Sequence, residues 1–304
     1  TDGVEDSENP DVLFTGNSSF SSGGAIYARS VSITGNGDVT FTGNSSSSSS
    51  SRGGAIYASD VSISGNGDVS FTGNTVSSSS DFHGGAICAN GVSISGNGDV
   101  IFTGNAVSSS SSSFSNGGAI NAFSGGVSIS GNGDVTFTGN AVSSSSPISN
   151  GGAIHADGGV SISGNGDVSF TGNTASSSSS SSFSYSCGGA IHADGGVSIS
   201  GNGDVLFSGN AATFFCSSSR VSEYEPSLAE HEPPPPISSS RGGAIYAQYS
   251  GVSIIGNETV CFEKNYEREN STYRLRSIYV DGGSLNLSAK KVGHITFHDS
   301  VYGG

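Results

Sequence analysis

Gly23-Gly24-Ala25-Ile26-Tyr27-Ala28 runs on through Val31-Ser32-Ile33-Thr34-Gly35-Asn36-Gly37-Asp38 to Val39-Thr40-Phe41-Thr42-Gly43-Asn44, a unit of 22 residues. How this stretch is read decides the fold. Val31 with Ile33, and Val39 with Phe41, are apolar residues two positions apart, separated by the small hydroxyl residues Ser32 and Thr40. Period two with β-branched residues, punctuated by Gly, Asn and Asp, reads as strand, turn, strand, turn, strand. No part of the unit has helical periodicity. The chain then repeats it. Gly-Gly-Ala-Ile starts at Gly23, Gly53, Gly84, Gly117, Gly151, Gly188 and Gly242. Phe-x-x-Asn starts at Phe14, Phe41, Phe71, Phe102, Phe137, Phe170, Phe207 and Phe262. A recurring unit of this size signals a repeat architecture before anything else.

Each Gly-Gly-Ala-Ile reaches the next Phe in 18 to 20 residues, whereas the return from Phe to the next glycine pair takes 9 to 35. One half of the repeat is held to length and the other is free. Three short strands with tight turns form one coil of a parallel β-helix. A lone coil has open faces and unpaired backbone, so neighbours must supply both. The expected fold is all-β, a right-handed parallel β-helix (solenoid) of about eight coils, roughly 40 Å long at ~4.8 Å per coil, with Ser-rich loops on one edge. The handedness follows the general preference of parallel crossovers.

Stacking places like residues over one another. The expected columns are Ile26, Ile56, Ile87, Ile120, Ile154, Ile191 and Ile245, and the phenylalanines Phe41, Phe71, Phe102, Phe137, Phe170, Phe207 and Phe262. Asn44, Asn74, Asn105, Asn140, Asn173, Asn210 and Asn265 close the third strand, where stacked side-chain amides can bond one another as a ladder. The glycine pairs Gly23-Gly24, Gly53-Gly54, Gly84-Gly85, Gly117-Gly118, Gly151-Gly152, Gly188-Gly189 and Gly242-Gly243 let the chain turn back into the first strand. With Ala25, these positions are the candidate scaffold.

Residues 1–12 read as an N-terminal lead-in. Residues 13–265 are the repeat β-helix, with 211–241 as a Glu- and Pro-bearing flexible insertion. Residues 266–304 are a C-terminal extension or cap. Ser tracts at 45–51, 77–80, 108–113, 143–146 and 176–182 are too polar to order themselves and are expected as mobile loops. The net charge of −15 argues against nucleic acid as a partner. No run of 18 apolar residues exists, so no helical span is expected. The chain has no Met and no leader ahead of Thr1, and reads as a mature or excised segment of something longer.

Alternating Gly-Gly-Ala-Ile and Phe-x-x-Asn over about 250 residues resembles the passenger of the chlamydial polymorphic membrane proteins. Residues 285–299 resemble the segment that follows the repeats there. The resemblance implies a type V autotransporter passenger, with the signal peptide removed and an outer-membrane β-barrel elsewhere in the same polypeptide. It implies a surface-exposed or secreted adhesin, antigen and virulence factor facing a host-cell receptor or glycan, with both motifs implicated in adhesion. Homo-oligomerisation stays open.

Other readings are weaker. Asp38, Asp68, Asp99, Asp134, Asp167 and Asp204, each in Gly-Asn-Gly-Asp, are first of all turn residues, with weak cation binding as the alternative. His155 and His192 occupy one strand position in adjacent coils. Tyr27, Tyr57, Cys88, Asn121 and Tyr246 share it, so the column reads as outward and tolerant rather than as a metal site. Cys187 and Cys216 are candidates for a disulfide between loops, with free thiols as the alternative. Basic residues in the coils are few and no nucleophile–base set is visible, so no enzyme, cofactor or metal is expected. The rival functions are a β-helical polysaccharide-binding or polysaccharide-cleaving protein, and an ice-binding solenoid using the rows Thr40-x-Thr42, Ser70-x-Thr72, Thr136-x-Thr138 and Ser169-x-Thr171, which Ile101 and Leu206 interrupt.

Overall fold

Alternation along Val-x-Phe-x sends Val and Phe to one face of a strand and the hydroxyl residues to the other. The computed structural model bears this out: Val39 and Phe41 are fully buried, while Thr40 and Thr42 are partly exposed. It describes residues 9–78, 82–110, 114–145, 147–179, 185–216, 239–290 and 293–303. Val39–Thr42 pairs in parallel with Val12–Thr15 on one side and Val69–Thr72 on the other, Phe against Phe. The pattern continues to His294–Phe297, giving a nine-stranded parallel sheet. The Val-Ser-Ile-Ser segments make an eight-stranded sheet from Ser30–Thr34 to Leu285–Ser288. The Ile-x-Ala segments make a third sheet, in which Ile120 is the lateral partner of Ile154. No strand in these three columns slips register between Ile26 and Ile254. The fold is a parallel β-solenoid of about seven motif-bearing turns.

The Ser tracts depart from expectation. Their first residues are strands: Ser45–Ser47, Thr75–Ser78, Ala106–Ser109, Ala141–Ser144, Thr174–Ser179 and Ala211–Cys216 pair laterally in one parallel sheet. Their inward positions are Ser46, Val76, Val107, Val142, Ala175 and Ala212, all buried. Before each Gly-Gly from Gly84 onwards the chain comes back along a fifth strand. Phe82–His83, Phe114–Asn116, Ile148–Asn150, Tyr185–Cys187 and Ser239–Arg241 form a five-stranded return sheet. Buried serines tie the two sheets together: Ser149 Oγ donates to the Ser176 carbonyl and Ser186 Oγ to the Thr213 carbonyl, both at 2.8 Å. Composition underrated these tracts because a stacked coil orders its neighbour through backbone hydrogen bonds, which need no apolar side chain. Residues 48–51, 110 and 145 of the tracts are described but are not strand, whereas 79–80, 111–113, 146, 180–182 and positions 217–238 of the insertion lie outside the described residues.

Beyond the last Gly-Gly-Ala-Ile the columns carry on. Leu285 pairs with Val252, Ile295 with Val260 and Phe297 with Phe262. Tyr266–Glu269 folds back antiparallel on Thr272–Asp281, which also lies parallel to Ile245–Gln248. Residues 266–303 therefore add a coil to the solenoid.

Candidate functional site

The motif residues face inward. The rings from Phe14 to Phe297 stack with centroids 4.7–4.9 Å apart, those from Phe41 to Phe207 within 1° of parallel. Asn105 shows how the ladder works. Its Nδ2 donates to Asn140 Oδ1 at 3.0 Å and to the Phe71 carbonyl at 2.8 Å, and its backbone N–H donates to the same Asn140 Oδ1 at 3.1 Å. The series runs from Asn17 to Asn265 and ends at the carboxylate of Asp299, which also accepts from Ser277 Oγ at 2.9 Å. Gly117 holds φ +63°, and a Cβ on Gly118 would collide with the Gly152 carbonyl and the Ala141 amide. Close coil-to-coil approach therefore demands glycine here.

Gly-Asn-Gly-Asp does more than turn the chain. Asn36, Asn66, Asn97, Asn132, Asn165, Asn202 and Asn257 form a second amide ladder, each Nδ2 donating to the next Oδ1 at 2.8–2.9 Å. The sequence gives a signal for it, the same Gly-Asn dipeptide that marks the first ladder. Asp38, Asp68, Asp99, Asp134 and Asp167 each accept a backbone N–H from the following coil, as in Asp99 N–H to Asp68 Oδ1 at 2.8 Å, and Asp204 accepts the Thr259 hydroxyl at 2.7 Å. One carboxylate oxygen is thus committed to the turn. No group of three or more His, Cys, Asp or Glu stands where it could hold a metal among the described residues.

The outward rows of the Phe sheet differ from each other. One is Thr15, Thr42, Thr72, Thr103, Thr138 and Thr171 in unbroken register, followed by Ser208 and Glu263. Its neighbour mixes Leu13, Thr40, Ser70, Ile101, Thr136, Ser169, Leu206 and Cys261. A regular two-row hydroxyl lattice is absent.

The His155–His192 column is not outward in the sense expected. Tyr27 is 70% exposed, but Cys88 and Asn121 are fully buried and His155, His192 and Tyr246 are each only 4% exposed. Burial sets in where return strands lie beside the column, a cover the Ser-rich sequence did not announce. Asn121 Oδ1 accepts from His155 Nδ1 at 2.7 Å. The His155 and His192 rings meet edge to face at 5.0 Å, and His192 meets Tyr246 at 4.9 Å. Asp157 and Asp194 flank the histidines at 3.8 and 3.3 Å.

The Cys187–Cys216 disulfide is not formed: Cys187 is a free, buried thiol, and the Cys216 side chain lies outside the described residues. Cys187 sits laterally between Asn150 and Arg241 in the return sheet, whereas Cys216 pairs with Ser179 in the serine sheet. Burial raises the Cys187 pKa, with Arg241 opposing, and pushes Cys88 up to about 12. Neither is poised as a nucleophile. Beside Cys187, a cavity of about 190 Å³ is lined by Tyr185, Cys187, His192, Arg241, Tyr246, Gln248 and Asp281.

The interior motifs and stacked columns define a parallel β-solenoid of tandem repeats whose signature residues are its scaffold. The family model of the Chlamydia polymorphic membrane protein (Chlamydia_PMP) repeat matches residues 11–29, 38–59, 134–157, 167–194 and 204–248. Repeats of the Chlamydia polymorphic membrane protein family thus run along the chain. No curated protein and no solved structure matches it. No helix among the described residues is long and apolar enough to cross a membrane, a finding that does not bear on β-barrels.

Proposed function

We propose that this chain is a passenger segment of a type V autotransporter, displayed at the bacterial outer membrane or released from it, and acting as an adhesin and antigen towards host cells. One observation supports this reading above others. The Gly-Gly-Ala-Ile and Phe-x-x-Asn residues between Ala55 and Phe262 are buried or nearly so, which leaves the outer side of every coil free to vary while the rod stays intact. An adhesin needs that division: a rigid, periodic scaffold with contact residues repeated at the coil spacing. Many weak contacts then sum through effective concentration. The partner in this reading is a host-cell receptor or glycan, the outer-membrane β-barrel is part of the same polypeptide, and no catalytic step is involved.

The test is attachment of the purified 304-residue chain to host cells, compared between two classes of variant. Substitutions of outward residues such as Thr103→Lys and Thr138→Lys should change attachment while thermal unfolding stays the same. Phe137→Ala should lower attachment only together with stability. A folded wild-type chain that attaches to no host cell overturns the reading.

A further inference from the structure

Asparagine followed by glycine is the pair most open to one spontaneous reaction, because a backbone nitrogen with no Cβ beside it can swing onto the preceding side chain. The chain holds nine such pairs. Six lie in Gly-Asn-Gly-Asp and are held at both reacting groups. Each asparagine Nδ2 donates to the next ladder oxygen at 2.8–2.9 Å, and each following glycine N–H donates one coil back at 2.9–3.1 Å. Two more, at Asn116 and Asn150, are buried, and the N–H groups of Gly117 and Gly151 donate to the Asn150 and Cys187 carbonyls at 2.9 Å. Asn90-Gly91 is built differently. It turns the corner between the strands Ile87–Ala89 and Gly91–Ser95, and Asn90 is half-buried. No hydrogen bond holds the Asn90 side chain among the described residues. The Gly91 N–H reaches the Ser59 carbonyl only at 3.4 Å, and the Asn90 N–H already takes that carbonyl at 2.7 Å. A Cβ on Gly91 would meet nothing closer than Asp60 Oδ1 at 3.6 Å, so this glycine is not wedged against the next coil as Gly118 is.

We propose that Asn90 is a site of spontaneous deamidation in the folded rod, and that the coil geometry shields the other eight pairs. The chemistry needs only water and base. Hydroxide takes the Gly91 backbone proton, and the nitrogen attacks Asn90 Cγ. The new N–C bond closes a five-membered imide, while the side-chain nitrogen departs as ammonia with a proton from water. A second water then opens the ring. Opening at the side-chain carbonyl leaves an aspartate, and opening at the main-chain carbonyl leaves an isoaspartate, whose backbone runs through Cγ and is one carbon longer. Either product gains a carboxylate next to Gly91, the lateral partner of Asp60. The longer backbone falls at the entry to a strand held in register from both sides, by Asp60–Ser64 and Val127–Ser130. Ageing at this one corner therefore loosens the third coil. The proposal is independent of the adhesin reading.

The experiment ages the full 304-residue chain in mildly alkaline buffer made with isotopically heavy water, folded in one arm and unfolded in urea in the other. Peptic digestion at low pH and tandem mass spectrometry then give the conversion at each asparagine. In the folded arm Asn90 should convert at least about tenfold faster than Asn97, Asn116, Asn132, Asn150 and Asn165, whose reaction must wait for local opening. In urea the same sites should fall within about threefold of one another, since no fold remains to separate them. Gly91→Ser places at 91 the residue that Ser30 supplies two coils earlier in the same column, and its Cβ should slow conversion at Asn90 by about tenfold. Asn90→Ser, which copies Ser59, removes the reacting amide and serves if the first variant does not fold. Aged wild-type chain should melt below fresh chain, and aged Asn90→Ser should not. The proposal is overturned if Asn90 in the folded arm converts no faster than the shielded sites, if folded Gly91→Ser converts as fast as wild type, or if aged Asn90→Ser loses as much thermal stability as aged wild type.

Discussion

The two halves of a coil obey different rules. From the glycine pair to Phe-x-x-Asn the chain keeps 18 to 20 residues per coil and repeats its side chains almost letter for letter. From Asn to the next glycine pair it takes anything from 6 to 32 residues onwards, and the inward position drifts from Ser46 through Val76, Val107 and Val142 to Ala175, Ala212 and Glu267. Yet both halves hold parallel register. Register is thus the work of the backbone ladder, and side-chain identity is fixed only where something large or hydrogen-bonded must meet its own copy. The phenylalanine column joins the main core, while Val76, Val107 and Val142 form only a small separate cluster.

The largest effect should come from the strict half. Phe137→Ala should lower unfolding free energy in guanidinium by about 3–5 kcal/mol, because the neighbouring rings cannot close on the gap. Val142→Ala in the permissive half should lose only about 1.5 kcal/mol, two methyl groups' worth. Equal losses would erase the distinction drawn between the halves.

Glycines sharpen it next. Gly118→Ala forces a Cβ into the backbone of the next coil and should destabilise by about 1–3 kcal/mol or more. Gly139→Ala, at φ +60° with open space around it, should carry only the strain of the left-handed region, about 1 kcal/mol. Thermal melts of the two variants should separate accordingly.

Asn140→Ala comes third. It strips the acceptor from the backbone N–H and Nδ2 of Asn105, leaving buried donors idle at about 1–3 kcal/mol. Hydrogen exchange at the Asn105 amide should speed up with it. If exchange there is unchanged, the ladder is a packing feature and not a hydrogen-bonded one.

The smallest effect is a pH dependence. Glu267 is almost wholly buried in the last coil, where it accepts from the Gly242 N–H at 2.8 Å and pairs with Arg276 at 3.1 Å. Burial raises its pKa above the ordinary carboxylate value, against the opposing pull of Gly242 and Arg276. A carboxyl raised in the folded state contributes stability below its unfolded pKa of about 4.3, and loses it as pH rises through the folded pKa. Glu267→Gln should flatten that part of the stability–pH curve. A curve that keeps its slope in the variant assigns the slope to another group.

Much of this was legible because a repeat reports its own register: Ile120 meets Ile154 and Phe137 meets Phe170, as their equal places in the unit imply. The first Asn ladder could be read for the same reason. The second carries the same Gly-Asn signal, but Asn36 and its equivalents sit in Gly-Asn-Gly-Asp, where turn propensity alone accounts for every letter and masks it. The buried histidines were hidden for a different reason. Their cover is built from Ser-rich return strands, and composition cannot show that a polar strand will lie against a particular column. The cavity beside His192 follows from that cover, so it was out of reach too.

The matched register has an evolutionary consequence. Because each coil offers its neighbours above and below the same glycine pair, ring and two amides, a tandem copy of residues 84–116 would meet familiar surfaces on both sides. Unequal recombination can therefore change the length of the rod in whole steps without remaking its interior, whereas a single missense change inside the strict half disturbs three layers at once.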